Sequence, residues 1–218
     1  MKLWKSSMLI VGGIVALILM SVNVVAVNDD TGDIWHQTWS ESENKMVWGA
    51  FTDNKDNIDI TDISYTISGT QATVTMTTVG AMSAGMGDDV VYTMHLKYGA
   101  SSYYMIVYTN NQGSVMGWGD YAGFTEPLDN PISGNTFTAT FEVSDPNANY
   151  QVIGFNVEYN EPGNDQGEAW WDYAPGSAAP WYTDGDVNGG NNGGTPGFET
   201  LATIAALGVA LIILRRKN

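Results

Sequence analysis

Strict alternation of apolar and polar residues runs through the middle of the chain and limits its possible folds more than any other feature. Ile63, Tyr65 and Ile67 alternate with serine and threonine, and the same alternation returns over residues 72–76 after a Ser-Gly-Thr turn. Successive side chains of a strand point to opposite sides of a sheet. The pattern therefore predicts a hairpin with one buried face and one face covered by threonine and serine.

Strand periodicity continues along the chain without a convincing helical stretch. The clearest segments are residues 90–98, 103–108, 137–143 and 152–159, and residues 115–121 and 45–51 are weaker candidates. Residues 103–108 are apolar on both faces, which indicates a central strand. Seven to nine strands without a linker predict an all-β fold, a single antiparallel sandwich of the immunoglobulin-like or jelly-roll kind over residues 27–176.

The N-terminal segment has the layout of a secretory signal peptide. Lys2 and Lys5 precede an uncharged apolar run, and the small-residue pattern of a cleavage site ends at Ala26. We expect a signal peptide over residues 1–26 that signal peptidase removes. The alternative is an uncleaved helix that anchors the N-terminus.

The C-terminal end predicts a membrane anchor. A Gly/Asn-rich linker over residues 177–195 leads to a largely apolar segment that ends in a basic cluster, over residues 196–218. Counted from Pro196, this segment is just long enough to span a bilayer as a helix. The basic cluster predicts a cytoplasmic C-terminus with the bulk of the chain outside.

The order of linker, tripeptide Pro196-Gly197-Phe198, apolar helix and basic tail resembles the archaeal PGF-CTERM surface-sorting signal. The resemblance covers residues 196–218 and implies recognition by an archaeosortase-like enzyme, removal of the segment and a lipid on the new C-terminus. Glu199 directly after the tripeptide is a departure, and without processing the helix itself would remain as the anchor. Either outcome predicts a chain tethered at the extracellular face of the cytoplasmic membrane.

Charge is distributed very unevenly. The region between the two ends holds 23 of the 24 acidic residues but only three basic residues, Lys45, Lys55 and Lys97. Such a field repels nucleic acid and anionic lipid, so we exclude nucleic-acid binding, and it attracts cations. The chain has no cysteine, so stability must come from core area, from bound cations or from neighbours in a surface lattice.

Residues for catalysis are scarce, and we predict that the chain is not an enzyme. The only histidines are His36 and His95. His95 lies between Thr93 and Lys97 in the strand pattern, which predicts a solvated residue. Acyl transfer needs a nucleophile, a base and an orienting group. Glycosidases need only two carboxylates, but a chain this acidic always contains such pairs, so their presence does not indicate a glycosidase.

A second, shorter resemblance concerns the sandwich itself. An acidic turn over residues 56–62 enters the first hairpin, and the final strands end in Trp171-Asp172-Tyr173-Ala174-Pro175. These features resemble the DOMON and family-9 carbohydrate-binding group over roughly residues 50–175. The resemblance implies binding of sugars or haem, or a non-catalytic surface module. Haem ligation would need two strands, for example His95 with Met105 or Met116, since Met94 points to the opposite face.

Calcium is the metal that the residue pattern favours. Carboxylate and amide oxygens are the ligands that Ca²⁺ prefers, and the candidates are Asp53, Asp56, Asn57, Asp59 and Asp172. The spacing is not that of an EF-hand. The alternative is a set of solvated Asx-rich turns, which is also our interpretation of Asp29, Asp30 and Asp33.

Aromatic residues next to acidic ones suggest a ligand platform. The candidates are Trp118, Asp120, Tyr121, Trp170 and Trp171. Sugar-binding modules use such rings for stacking, but core or interface packing is the favoured alternative. We therefore expect a non-catalytic surface-anchored protein with an envelope-structural, adhesive or ligand-capture role. The alternatives are a carbohydrate-binding module with structural calcium and a haem or redox module, and the possible partners are extracellular glycans or surface-layer proteins.

Overall fold

Thirteen strands in two antiparallel sheets make up the computed structural model of the chain, which describes residues 24–52, 55–83, 89–160 and 167–178. The smaller sheet has the order β1 (Val24–Asn28), β4 (Ile60–Ser68), β5 (Gln71–Thr78), β11 (Thr136–Glu142), β10 (Ile132–Ser133). The larger sheet has the order β3 (Lys45–Thr52), β2 (Ile34–Ser40), β13 (Ala169–Ala174), β12 (Gln151–Tyr159), β6 (Val90–Tyr98), β7 (Ser102–Thr109), β8 (Gln112–Trp118), β9 (Thr125–Leu128). Two short 3-10 helices lie at Gly119–Tyr121 and Gly176–Ala178.

The main core lies between the two sheets. It receives every second side chain of β4, β5 and β11 from one side and of β6, β7 and β12 from the other. Gly154 of β12 faces the smaller sheet, where a methyl group would come within 2.7 Å of Met76 Cε and 3.0 Å of Ile63 Cδ1. The glycine therefore allows the two sheets to approach closely at this point.

The predicted fold class, an antiparallel β-sandwich, is confirmed. The predicted hairpin is β4–β5, with Ile63 paired to Met76, and its buried and half-buried residues alternate. The predicted central strand is β7, whose residues are buried on both faces and which pairs with β6 and β8.

The number of strands exceeds the seven to nine expected. Three of the additional strands are short or irregular: β10 has two residues, β9 contains Pro127, and β2 has a register shift against β3. A period of two can be recognised only over several consecutive residues, so such strands cannot be predicted from the alternation.

Strand β1 lies across the predicted cleavage site. Val24, Val25 and Ala26 pair with β4, and a cut after Ala26 would leave only Val27 and Asn28 of the strand. The cleavage site and the uncleaved alternative both stay predictions. The rest of the predicted signal peptide, most of the linker and the whole sorting segment lie outside the described residues. Within the described ranges no helix is long and apolar enough to cross a membrane.

Candidate functional site

The outward side of the larger sheet carries a second hydrophobic cluster, which we call the aromatic face. In β6, Tyr92, Met94 and Leu96 belong to the core between the sheets, so Val91 and His95 point to the opposite side. The buried members of the face are Val91, Met105, Val107, Phe155, Val157, Ala169, Trp171 and Tyr173. Half-buried members pack around them: Trp48, Tyr103, Met116, Trp118 and Tyr159.

The rings of the aromatic face contact one another in the arrangements that aromatic pairs favour. Tyr103 and Trp118 are nearly parallel, with centroids 6.1 Å apart and an interplanar angle of 12°. Trp171 makes edge contacts with Trp48 at 6.1 Å and with Tyr159 at 6.0 Å. The face is therefore a packed layer of rings rather than a set of isolated aromatic residues.

His95 lies within the aromatic face, so the prediction of a solvated histidine is wrong. The residue is 4% exposed, and its ring lies 5.0 Å from that of Tyr103 and 5.4 Å from that of Phe155. Burial, together with the charge of Lys97, lowers the pKa of His95 to about 3. The reason is the neighbouring strands: in register, His95 lies between Ile153 of β12 and Met105 of β7.

Two polar atoms on the aromatic face have no hydrogen-bond partner among the described residues. They are Nε2 of His95 and Nε1 of Trp118, and both are buried. Met105 pairs in register with His95 on one side and with Met116 on the other. The two His–Met pairs considered for haem thus share this face, whereas Met94 lies in the core between the sheets.

His36 has a different environment. Its ring stacks on Trp170, with centroids 4.9 Å apart, and its Nε2 atom lies 3.8 Å from a carboxylate oxygen of Glu168. In the described part of the chain, Nε2 of neither histidine makes a hydrogen bond.

The five residues predicted for ligand binding do not form one platform. Trp118 and Trp171 belong to the aromatic face, whereas Tyr121 and Trp170 pack against the core between the sheets. Asp120 is exposed and accepts a hydrogen bond of 2.8 Å from the Ser102 hydroxyl group. Trp170 is held between the His36 ring and the Lys55 ammonium group, which lies 3.9 Å from its ring centroid.

An acidic cluster lies at the end of the sandwich where the first strand ends and the last strand leaves. It consists of Asp29, Asp33, Asp59 and Asp172. One carboxylate oxygen each of Asp29, Asp33 and Asp172 lies within 4.8 Å of the other two. Asp172 alternates with Trp171 of the aromatic face and therefore points between the sheets, where it is 1% exposed.

Backbone amides position the carboxylates of the acidic cluster. Oδ1 and Oδ2 of Asp172 accept hydrogen bonds from the amides of Tyr173 and Ile60. Oδ2 of Asp59 accepts one of 2.9 Å from Gly32, in the turn between Asp29 and Asp33. Three oxygens in the cluster are buried and have no hydrogen-bond partner among the described residues, namely Oδ2 of Asp29, Oδ1 of Asp33 and Oδ1 of Asp59.

The electrostatics of the acidic cluster are unfavourable in the absence of a cation. Burial and the charge of Asp33 raise the pKa of Asp29 to about 7, and burial and the charge of Asp59 raise that of Asp33 to about 6. Burial is the largest cause of the raised pKa values of Asp59 and Asp172, and the neighbouring carboxylates add to that of Asp172.

Two of the predicted calcium ligands, Asp59 and Asp172, belong to this cluster. The others do not: Asp56 is exposed, the side-chain amide of Asn57 donates to Glu158 at 2.8 Å, and Asp53 lies outside the described residues. The expectation that Asp29 and Asp33 are simply solvated is wrong, because both are half-buried. The available signal was their position on either side of a glycine turn that directly precedes β2, whose first residue, Ile34, is fully buried.

Comparison with known proteins identifies only the C-terminal segment. The PGF-CTERM motif matches residues 195–217. A search of the curated proteins and a search of the solved structures return no match to this chain. The motif supports a sorted protein that is anchored at the membrane and displayed at the cell surface, and the resemblance of the sandwich to DOMON and family-9 modules has no such support.

Proposed function

We propose that this chain is a non-catalytic, surface-anchored β-sandwich whose aromatic face captures a ligand or partner in the cell envelope. The observation that carries the proposal is the pair of unpartnered polar atoms, Nε2 of His95 and Nε1 of Trp118, within an apolar outward face. Buried polar atoms are normally hydrogen-bonded. A bound molecule with hydroxyl groups would supply both an acceptor and a donor at these positions once the half-buried Tyr103 and Trp118 rings move aside to admit it.

The composition of the aromatic face supports a role in contact. The outward face of an antiparallel sheet is usually polar, whereas here half-buried Tyr103, Met116 and Trp118 continue a buried apolar layer. Aromatic residues and methionine are enriched where proteins bind partners.

The environments of the two histidines support a non-catalytic role. His95 is kept neutral by burial among rings. His36 stacks on Trp170. A base that serves a nucleophile must lie within hydrogen-bond reach of it, and the Nε2 atoms have no such neighbour in the described residues.

A glycan is the ligand class that the parallel rings of Tyr103 and Trp118 favour. Their planes differ by 12° and both are half-buried. Sugar rings stack on such a surface, and the two unpartnered polar atoms would bind hydroxyl groups.

The proposal can be tested by co-sedimentation of the purified full chain with cell envelopes from a strain that lacks it. Trp118→Ala should weaken binding roughly fivefold, since one aromatic contact contributes about 1 kcal/mol. Tyr98→Ala is the matched control, because Tyr98 is also aromatic, is 45% exposed and lies outside the aromatic face.

Equal binding by the two variants would contradict the role of the aromatic face. Release of the bound chain by soluble glycans prepared from the same envelopes identifies the ligand as a sugar. Release by protease treatment of the envelopes instead identifies a protein partner and rejects the glycan.

A further inference from the structure

We propose that the acidic cluster of Asp29, Asp33, Asp59 and Asp172 is a calcium site that holds the N-terminal and C-terminal segments of the domain together. The inference does not depend on the role of the aromatic face.

The geometry of three carboxylates in the cluster fits one shared cation, and Asp59 lies against the turn that carries two of them. Calcium binds oxygen ligands at 2.3–2.6 Å, so two ligands of one ion lie at most about 5 Å apart. The carboxylate oxygens of Asp29, Asp33 and Asp172 satisfy this limit, at 4.8 Å or less. The backbone amides of Ile60 and Tyr173 fix the carboxylate of Asp172 in place before any ion binds.

The burial of Asp59 distinguishes this cluster from an ordinary group of surface carboxylates. The residue is 3% exposed, and its buried Oδ1 atom has no hydrogen-bond partner in the part of the chain that the structure describes. Its other oxygen binds the amide of Gly32, which places the side chain against the turn that carries Asp29 and Asp33. A buried, unpaired carboxylate oxygen is costly unless a cation or a hydrogen-bond donor satisfies it.

Among the residues that the structure describes, no positive side chain fills this role. The charged groups that act on the four carboxylates are all acidic: the members of the cluster themselves, Asp30 and Asp56. The three described ion pairs involve other acidic residues, namely Glu43, Glu158 and Glu168. The negative charge of the cluster is therefore left to be neutralised by a cation from solution.

The donor set favours calcium over other metals. Carboxylate oxygens without nitrogen or sulfur suit hard cations, whereas zinc and copper prefer histidine and cysteine. Magnesium requires near-ideal octahedral geometry at 2.0–2.1 Å, and calcium accepts irregular sites built from loops and turns. The ligands here come from three separate segments, which favours the more tolerant ion.

The ion would connect parts of the chain that are far apart in sequence. Asp29 follows β1, Asp33 precedes β2, Asp59 precedes β4, and Asp172 belongs to β13. Oδ1 of Asp29 also accepts a hydrogen bond of 3.0 Å from Gly176, where the chain leaves the sandwich towards its anchor. Calcium would thus stabilise the junction between the domain and its tether.

Thermal unfolding of the full chain in detergent tests the site, with calcium compared against EDTA at matched ionic strength. A saturating ion that binds only the folded state should raise the melting temperature by about 5–10 °C. Magnesium at the same concentration should raise it less. Isothermal titration with calcium should show one ion per chain.

Two variants separate a specific site from general screening of a very acidic chain. Asp59→Asn should abolish the calcium-dependent shift and raise the melting temperature in EDTA, because it removes an unpaired buried charge. Glu142→Gln changes the charge equally at an exposed position of β11 and should keep the full shift. If Asp59→Asn does not fold, Asp33→Asn takes its place. Equal melting with calcium and EDTA, or an equal shift in the Asp59 and Glu142 variants, would overturn the proposal.

Discussion

The two outward faces of this sandwich differ although their strands share the same alternation. On the smaller sheet the outward residues of β5 and β11 form a threonine face, made of Thr73, Thr75, Thr77, Thr138, Thr140 and Glu142. These side chains are half-buried or exposed. On the larger sheet the corresponding side is the aromatic face, where Met105 is 1% and Phe155 3% exposed. One sheet therefore has a single buried side and the other has two.

The comparison shows that a period of two identifies a strand but does not reveal whether its polar residues are exposed or buried. Thr93 and His95 alternate with apolar residues in β6 as Thr73 and Thr75 do in β5. Their surroundings differ because the strands beside β6 supply apolar neighbours on both sides.

The largest expected difference between the faces concerns a buried charge. Met105→Lys should lower the free energy of unfolding by more than about 3 kcal/mol, because an unpaired ammonium group would enter an apolar layer. Thr138→Lys on the threonine face should change it by at most about 0.5 kcal/mol. Urea unfolding followed by tryptophan fluorescence measures both, and similar losses would show that the two faces do not differ in burial.

A smaller difference between the two faces is expected in how acid changes the free energy of unfolding. Because the pKa of His95 is lowered to about 3 in the folded chain, the unfolded chain binds the proton first as the pH falls below about 6.5. His95 therefore destabilises the fold progressively between pH 6.5 and pH 3, by about 2–3 kcal/mol at pH 4.5.

The matched variants place the same residue type on the two faces. His95→Gln should remove this part of the acid sensitivity, and Thr138→His should add none, because an exposed histidine has nearly the same pKa in both states. Unfolding free energies at pH 7 and pH 4.5 measure the effect. An unchanged difference between the two pH values in His95→Gln would contradict the buried position of the ring.

The smallest effect is expected on the threonine face itself. The hydroxyl groups of Thr73 and Thr140 are 3.2 Å apart across β5 and β11. Thr140→Ala removes this cross-strand contact and should cost about 0.5 kcal/mol. A loss above about 2 kcal/mol in the same urea assay would show that the threonine face is packed like the aromatic face.

Much of the sandwich was predictable from sequence because local periodicity reports local structure. The hairpin β4–β5 and the doubly buried β7 follow directly from the order of their residues. Short strands such as β10 contain too few residues for a period to be recognised.

The sites were harder to predict because they depend on contacts between distant residues. Asp59 and Asp172 are predicted to be neighbours, but Asp29 and Asp33 are not, because the alternation predicts no strand beside Asp29 and Asp33. Only the pairing of β13 with β2 brings these segments together. The same holds for His95, whose burial depends on Phe155 of β12 and Tyr103 of β7.

The position of β13 determines how the domain responds to mechanical load. The chain leaves this strand towards its C-terminal anchor, and β13 lies inside the larger sheet between β2 and β12. A pull on the tail along the strand would load both of its hydrogen-bonded ladders in shear, so that many bonds must break together. An edge strand in the same position would instead unzip one bond at a time. Force on the tether would therefore act on two strand ladders at once, and the rate of unfolding governs how long the domain withstands it.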